Sequence, residues 1–235
     1  MQKISLILLT FSLCLNRANG QNSNQFWSDI LLNTPLKNNY RLDNQLTYRT
    51  DLNTTSKWST YQVQSQIVRP FGKRWEVLLN FLFNYTHQVT KLNTMELRPG
   101  AGVGFTFIRT ARVRFGSLLR YESRSIYTVD TAIWSNSDRL RFRLETTVLL
   151  KGEKVTRQHS WYMLTDAELF YTIDKEVRER YASRVRFRGG VGYALTGSLR
   201  LEAIFAYQVS GNTILKSEDN TQQNIFWLRA IFLTK

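Results

Sequence analysis

The chain has 235 residues, with 32 lysines and arginines against 18 aspartates and glutamates, which gives a formal net charge of +14. Its single cysteine excludes an internal disulfide framework and a cysteine-ligated metal cluster. Beyond the N terminus no apolar stretch reaches about 18 residues, so we expect one domain without transmembrane helices. The basic charge favours anionic partners.

The N terminus has the pattern of a secretory signal peptide. Lys3 precedes an apolar run over residues 4–15, and the small residues at 18–20 predict cleavage before Gln21. The apolar run is too short to cross a bilayer as a helix. Cys14 lies within this run, so the mature chain would contain no cysteine. Export also makes nucleic acid an unexpected partner.

From residue 40 onward, apolar and polar side chains alternate in segments of about ten residues, which is the period of a strand with two different faces. The clearest segment is 139–150, where apolar side chains alternate with arginine, glutamate and threonine. In chain order, the predicted strands are residues 40–49, 58–69, 75–86, 95–108, 112–124, 139–150, 161–172, 184–193, 199–208 and 223–233.

Tight turns and long polar loops alternate along the chain, with residues 151–160 as the exception. This alternation is typical of outer-membrane barrels, which have short periplasmic turns and longer external loops. We therefore predict an all-β fold, a closed antiparallel transmembrane β-barrel of about ten strands (ten to twelve), with both chain ends on the periplasmic side. The tight turns are 70–73, 109–111 and 195–198, and the long loops are 50–57, 87–94, 126–136, 173–182 and 210–221.

The predicted organisation is a signal peptide (1–20), an N-terminal segment (21–39) and an outer-membrane barrel (40–235). Within the second part, residues 27–36 are partly apolar. They fit an additional strand, a periplasmic lead-in or a segment that enters the lumen, and all three alternatives stay open at this point.

The distribution of aromatic residues and glycines indicates which face is inside. Many aromatic residues of the apolar face fall near strand ends, as in the interfacial girdles of membrane barrels. The glycines at 100, 102, 104, 116, 190 and 192 fall on the arginine-bearing face, where they would leave room for arginines in a narrow lumen. The polar face is therefore predicted to line the lumen, only slightly wider than a side-chain-filled eight-stranded barrel.

Several segments resemble a family of uncharacterised bacterial outer-membrane proteins called DUF2490. They are ELRP at 96–99, RLRFRLE at 139–145, DAELFY at 166–171 and RVRFRGGVGY at 184–193. Trp27 matches the opening tryptophan of that family, and residues 207–208 match its penultimate strand. The resemblance covers nearly all of the mature chain. It implies an outer-membrane barrel and brings with it no reaction and no catalytic residues.

Arginines and carboxylates that share the polar face form a predicted lumen charge network. Two roles stay open for it: binding or selecting anionic solutes, as charged pore linings do, or pairing of arginines with carboxylates across the lumen. The network consists of Arg112, Arg114, Arg120, Arg139, Arg141, Arg143, Arg184, Arg186, Arg188, Arg200, Glu96, Glu122, Glu145, Asp166, Glu168 and Glu202.

The predicted partners are outer-membrane lipid, lipopolysaccharide, anionic solutes and the barrel-assembly machinery during insertion. We expect no cofactor. We also expect no metal site, because His87 and His159 fall at opposite ends of the predicted barrel.

Three alternatives to a pore or structural barrel remain. An outer-membrane enzyme would use Asp166 and Glu168 as acid and base, although carboxylates that face arginines more often serve as counterions. The G-x-S-x-G and H-E-x-x-H motifs are absent. A soluble lipocalin-type barrel would reverse the two faces. An adhesive role would reside in the long loops, including Trp134 and residues 174–180.

Overall fold

A computed structural model describes residues 22–53, 57–89, 93–173, 180–212 and 221–234. The predicted signal peptide with Cys14, and residues 174–179 of the charged stretch, lie outside the described residues. Within them, eleven strands form one closed barrel. The prediction of an all-β closed barrel of ten to twelve strands is therefore confirmed.

The strands follow the alternation of the sequence closely, and each of the ten predicted segments lies within or almost within one of them. A short 3-10 turn (Lys37–Asn39) separates the first two. The strands are β1 (Asn22–Pro35), β2 (Arg41–Asp51), β3 (Trp58–Phe71), β4 (Trp75–Gln88), β5 (Thr94–Arg109), β6 (Val113–Thr128), β7 (Ile133–Lys151), β8 (Trp161–Thr172), β9 (Arg180–Ala194), β10 (Leu199–Asn212) and β11 (Thr221–Leu233).

The barrel closes through a parallel pair, which differs from the predicted antiparallel closure. β1 pairs with β2 in antiparallel orientation and with β11 in parallel orientation, with Asn22 opposite Gln222 and Asn33 opposite Leu233. An odd number of strands makes the first and last run in the same direction. The expectation that both chain ends share one end of the barrel is therefore wrong, since β1 begins at the end opposite to the one where β11 ends.

The two ends of the barrel differ in the connections they carry. The short-turn end has the connections 36–40, 72–74, 110–112, 152–160 and 195–198 and also the last residues of β11, because Thr234 donates its backbone N–H to the carbonyl of Asn33 at 2.9 Å. The long-loop end carries the other connections and the start of β1. These connections are 52–57, 89–93, 129–132, 173–179 and 213–220.

The loop predicted at 126–136 is a four-residue connection, so this prediction is wrong. β6 and β7 continue to Thr128 and Ile133, and the rings of Tyr127 and Trp134 pack at 5.0 Å across them. Ala132 adopts a positive φ of 54° in the turn. Aromatic cross-strand pairs stabilise a hairpin beyond the point where polar residues begin in the sequence.

The outer and inner faces of the wall have opposite character. On the outer face, Leu79 is 66% exposed and Tyr171 is 65% exposed. On the inner face, Arg120, Glu122 and Glu168 are buried. Alternation thus places apolar side chains around the outside and charges within.

The parallel register between β1 and β11 can be tested by crosslinking. In a Cys14→Ser background, Ser28→Cys combined with Leu228→Cys should react with a short thiol-specific crosslinker, because these positions are direct partners. Ser28→Cys combined with Phe232→Cys is the control, since four residues of offset correspond to about 13 Å at ~3.3 Å per residue. Mobility on denaturing gels reads out the result, and crosslinking of the control alone would contradict the register.

Candidate functional site

The centre of the barrel interior is a carboxylate surrounded by guanidinium groups. Glu122 on β6 is 1% exposed, and its neighbours on the inner face come from β5, β6 and β7. Its oxygens lie 2.6 Å from Arg139, 2.7 Å from Arg120, 3.3 Å from Arg141 and 3.7 Å from Arg98. Because a buried carboxylate requires charged or polar partners, this arrangement compensates the desolvation of Glu122 from several sides.

A second buried carboxylate extends the network to the next two strands. Glu168 on β8 is fully buried and accepts a hydrogen bond from Nε of Arg141 and a longer one, 3.5 Å, from Arg186 on β9. Arg141 therefore bridges Glu122 and Glu168. The ion pairs run along the wall between neighbouring strands, so they stabilise the register of β6 to β9 as well as the buried charges.

Further pairs of the same kind continue around the wall. Glu96 accepts from Arg98 and Arg124, each at 2.6 Å. Arg229 on β11 joins Glu202 of β10 and Asp29 of β1 at 3.1 and 3.4 Å. Other pairs toward the lumen include Arg188 with Asp166 at 2.6 Å, Arg41 with Asp43 at 2.9 Å and Arg143 with Glu145 at 3.0 Å.

Two tryptophans lie inside the barrel among these charges. The rings of Trp27 on β1 and Trp227 on β11 meet edge to face at 5.1 Å. The guanidinium groups of Arg49 and Arg186 lie 4.0 and 5.0 Å from the centre of the Trp27 ring. Cation–π contacts of this kind hold an arginine without consuming its N–H donors. Sequence reasoning misses this role, although both tryptophans occupy polar-face positions of the alternation.

Phe170 provides a second inward ring. It is buried on β8, and the guanidinium groups of Arg139, Arg141 and Arg186 lie between 5.0 and 5.2 Å from its centre. The same three arginines pair with Glu122 or Glu168. The ring therefore helps to orient the arginines that neutralise the two central carboxylates.

The inward glycines make room mainly for side chains other than arginine, which differs from the expectation. A Cβ at Gly192 would lie 2.2 Å from the ring of Tyr162, and one at Gly104 would lie 2.7 Å from Glu76. Tyr162 is 1% exposed and donates its hydroxyl to Glu202 at 2.8 Å. Gly192 is thus required for the close approach of Tyr162 to the wall.

An internal cavity of about 380 Å³ remains between these side chains. Its lining extends along β2 from Arg41, near the short-turn end, to Arg49, near the long-loop end. Twelve arginines and five carboxylates line it. Among the described residues, buried Nε atoms of Arg49, Arg120 and Arg143 have no hydrogen-bond partner. Guanidinium donors therefore exceed the carboxylates available at the cavity surface.

The structure brings together most of the residues of the predicted network and leaves two, Arg112 and Arg200, outside both the cavity lining and the ion pairs described above. Arg112 is exposed in the turn between β5 and β6, because β6 begins one residue later, and Arg114 lies at the exposed cavity mouth. Residues of the interior that the predicted network did not include are Asp29, Asp43, Arg41, Arg49, Arg98 and Arg229. Arg41, Asp43 and Arg49 share the polar face of β2 in the sequence, so the alternation itself could have identified them.

Asp166 and Glu168, the residues considered for acid–base chemistry, both face arginines. Asp166 accepts from Arg188, and Glu168 accepts from Arg141 and Arg186. Each carboxylate is thus held as a counterion in this geometry.

The two histidines lie at opposite ends of the barrel. His87 contacts the side chain of Asn93 at 2.9 Å at the long-loop end, and His159 contacts the Tyr193 hydroxyl at 2.7 Å at the short-turn end. In the part of the chain that the structure describes, no group of three or more histidines, cysteines or carboxylates could hold a metal ion.

These features define a closed β-barrel with a charged interior and an apolar exterior, and solved structures include one of similar fold. The structure described as the NanC porin in a rhombohedral crystal form superposes with a TM-score of 0.53 at 12% identity, over 85% of this chain and 92% of that chain. Residues 24–216 match the model of the DUF2490 family, described as protein of unknown function, so the chain belongs to that family.

No curated protein sequence matches the chain. Across the described ranges, no helix has the length and apolar character needed to span a membrane.

Replacing the central carboxylate should destabilise the barrel. Glu122→Gln removes the counterion of Arg120 and Arg139, whereas Arg98 and Arg141 keep Glu96 and Glu168, so we expect the free energy of unfolding to fall by about 3–5 kcal/mol. Glu153→Gln is the matched control, because Glu153 and Arg157 form an exposed pair at 3.9 Å and its loss should cost less than about 1 kcal/mol. Urea unfolding measures both variants, and equal effects would contradict the central role of Glu122.

Proposed function

We propose that this protein is an outer-membrane β-barrel whose arginine-lined interior is a narrow pore selective for small anionic solutes. The observation that carries the proposal is an excess of positive charge around the cavity. Twelve arginines line the cavity, against five carboxylates in the lining and four more in the wall, Asp29, Glu96, Glu122 and Glu168, that pair with lining arginines. The likeness of the barrel to a porin supports a pore or binding function.

The spacing of aromatic residues on the outer face supports a membrane location. Trp75 and Tyr85 lie ten residues apart on β4, and Trp161 and Tyr171 lie ten residues apart on β8. Ten residues at ~3.3 Å each and a tilt of about 40° give a vertical distance of about 25 Å, which matches the apolar band of outer-membrane barrels. Leu79 lies within this interval and is the outer apolar residue of β4 with the largest exposed fraction.

The exposed apolar surface also favours a membrane barrel over the lipocalin-type alternative. A soluble ligand-binding barrel needs its aromatic residues around an inner apolar cavity. In this barrel the inner cavity is lined by arginines, while Tyr61, Phe81 and Leu169 are at least half exposed outside. By analogy with outer-membrane barrels, the short-turn end would face the periplasm and the long-loop end the exterior.

The chemistry of the lining indicates the class of solute. Guanidinium groups present planar pairs of N–H donors that match carboxylate and phosphate oxygens. Part of that capacity is used by carboxylates of the interior. These are Asp43, Glu145, Asp166 and Glu202 in the lining and Glu122 and Glu168 in the wall. The excess positive charge concentrates anions in a narrow lumen, as rings of arginine and lysine do in anion pores. The small cavity volume restricts passage to small solutes.

Ion selectivity tests the pore directly. In planar bilayers under a salt gradient, the purified barrel should conduct and its reversal potential should indicate anion preference. Arg49 stacks on Trp27 and lines the cavity, so Arg49→Gln should lower the anion-to-cation permeability ratio and Arg49→Glu should lower it further.

The matched control for the pore is Arg157→Gln. Arg157 is 70% exposed in the β7–β8 turn, outside the cavity lining, so this variant should keep the selectivity of the unmodified barrel. Absence of conductance, or a preference for cations, would overturn the pore proposal.

The membrane location is tested by the depth dependence of an arginine substitution. Leu79→Arg, at mid-band on the outer face of β4, should lower the free energy of unfolding in phospholipid vesicles by about 2–4 kcal/mol. Val89 follows the end of β4, four residues beyond the aromatic residue Tyr85, and is exposed. Val89→Arg should therefore cost less than about 1 kcal/mol. In a water-soluble barrel both exposed positions would tolerate arginine equally.

A further inference from the structure

The outer face carries an apolar groove of about 620 Å³ that extends from the short-turn end toward mid-wall. Its floor is formed on β5 by Ala101 and Val103, and Ala101 is smaller than the residues beside it. Ala101 lies between Leu79 on β4 and Tyr121 on β6 in the strand register. The groove therefore arises because small side chains on one strand are flanked by large ones on its neighbours.

A positive charge lies at the turn end of this groove. Arg69 on β3 is exposed, lines the groove, and has its guanidinium 5.2 Å from the ring of Tyr40 and 4.9 Å from that of Phe71. Every other outward-facing residue between the aromatic levels of β3 and β4 is uncharged. An arginine between interfacial aromatic rings keeps its stem on apolar surface and its head at the polar boundary.

The adjacent turn adds two more cations. Lys73 and Arg74 are exposed in the connection between β3 and β4, one and two residues after Gly72. Gly72 adopts a positive φ of 62°, which allows the tight turn that brings these residues back beside the end of β3. Arg69, Lys73 and Arg74 thus form a basic group at the mouth of the groove, and basic groups at a membrane surface attract anionic lipid head groups.

We propose that this groove binds an anionic phospholipid of the leaflet at the short-turn end. One acyl chain lies over Ala101 and Val103, and Arg69 donates hydrogen bonds to the phosphate, with Lys73 and Arg74 close to the head group. The proposal rests on the membrane location proposed above. The apolar groove and the basic group lie next to each other on the outer face. A phospholipid has an acyl chain that fits the groove and an anionic phosphate that fits the basic group.

Native mass spectrometry of the detergent-purified barrel tests the site. The barrel is mixed with phosphatidylglycerol and phosphatidylethanolamine in increasing ratios. We expect it to retain one phosphatidylglycerol molecule in preference to phosphatidylethanolamine. Arg69→Gln should weaken that binding about fivefold. One cation near an anionic head group contributes about 1 kcal/mol, and this free energy corresponds to a fivefold change in Kd. Ala101→Phe should weaken it about tenfold or more, because the new ring fills the groove without changing any charge.

Two variants with the same chemistry elsewhere on the barrel serve as controls. Ala167→Phe adds a ring to another small outer position, between Leu144 and Phe187, and Lys151→Gln removes an exposed cation from a different strand end at the same level. Both should leave phosphatidylglycerol binding unchanged. Equal weakening by the control variants, or no preference between the two lipids, would overturn the site.

Failure of the lipid site and failure of the proposed function give different results. A barrel that conducts anions and shows the depth dependence at Leu79, yet binds both lipids alike in every variant, contradicts the groove alone. A barrel that neither enters vesicles nor conducts contradicts the proposed function, and the lipid site falls with it.

Discussion

Burial of carboxylates inside the wall is the constraint on which the rest of the interior depends. Desolvating Glu122 and Glu168 is costly, and the cost is offset only when several N–H donors reach each carboxylate. Those donors come from arginines on neighbouring strands, so strand register and charge compensation are coupled. A shift of one strand by one residue would turn the guanidinium groups of that strand to the outer face. The charge network and the barrel geometry therefore specify each other.

The inner aromatic rings explain how so many arginines fit into one narrow space. Guanidinium groups that lie over the rings of Trp27, Phe170 and Trp227 are held in place by cation–π contacts. These contacts keep the like charges apart and leave the N–H donors at the guanidinium edges available. Apolar side chains such as Ile204 and Ile225 pack around the tryptophans and fill volume that water would otherwise occupy. The remaining space is small and strongly positive at its surface.

The sequence predicts the strands of this barrel better than the side-chain contacts in its interior. A period of two is a local property, so segments such as residues 139–150 identify β2 to β11 and their two faces without knowledge of neighbours. The pairing of β1 with β11 joins residues about 200 positions apart and depends on closure of the whole barrel, which no local pattern contains. The inward tryptophans are missed for a related reason, because aromatic residues are also expected in the outer girdles and only their position in the alternation separates the two roles.

The parallel seam has a consequence for the order in which the barrel forms. Every other pair of neighbouring strands is consecutive in the chain, whereas this pair brings together residues such as Asn24 and Asn224 across almost the full length of the polypeptide. Loop-closure entropy makes such a contact the slowest to reach, and parallel hydrogen bonding is slightly weaker per residue than antiparallel bonding. We therefore expect the pair of β1 and β11 to form last during assembly and to separate first when the barrel is placed under mechanical load.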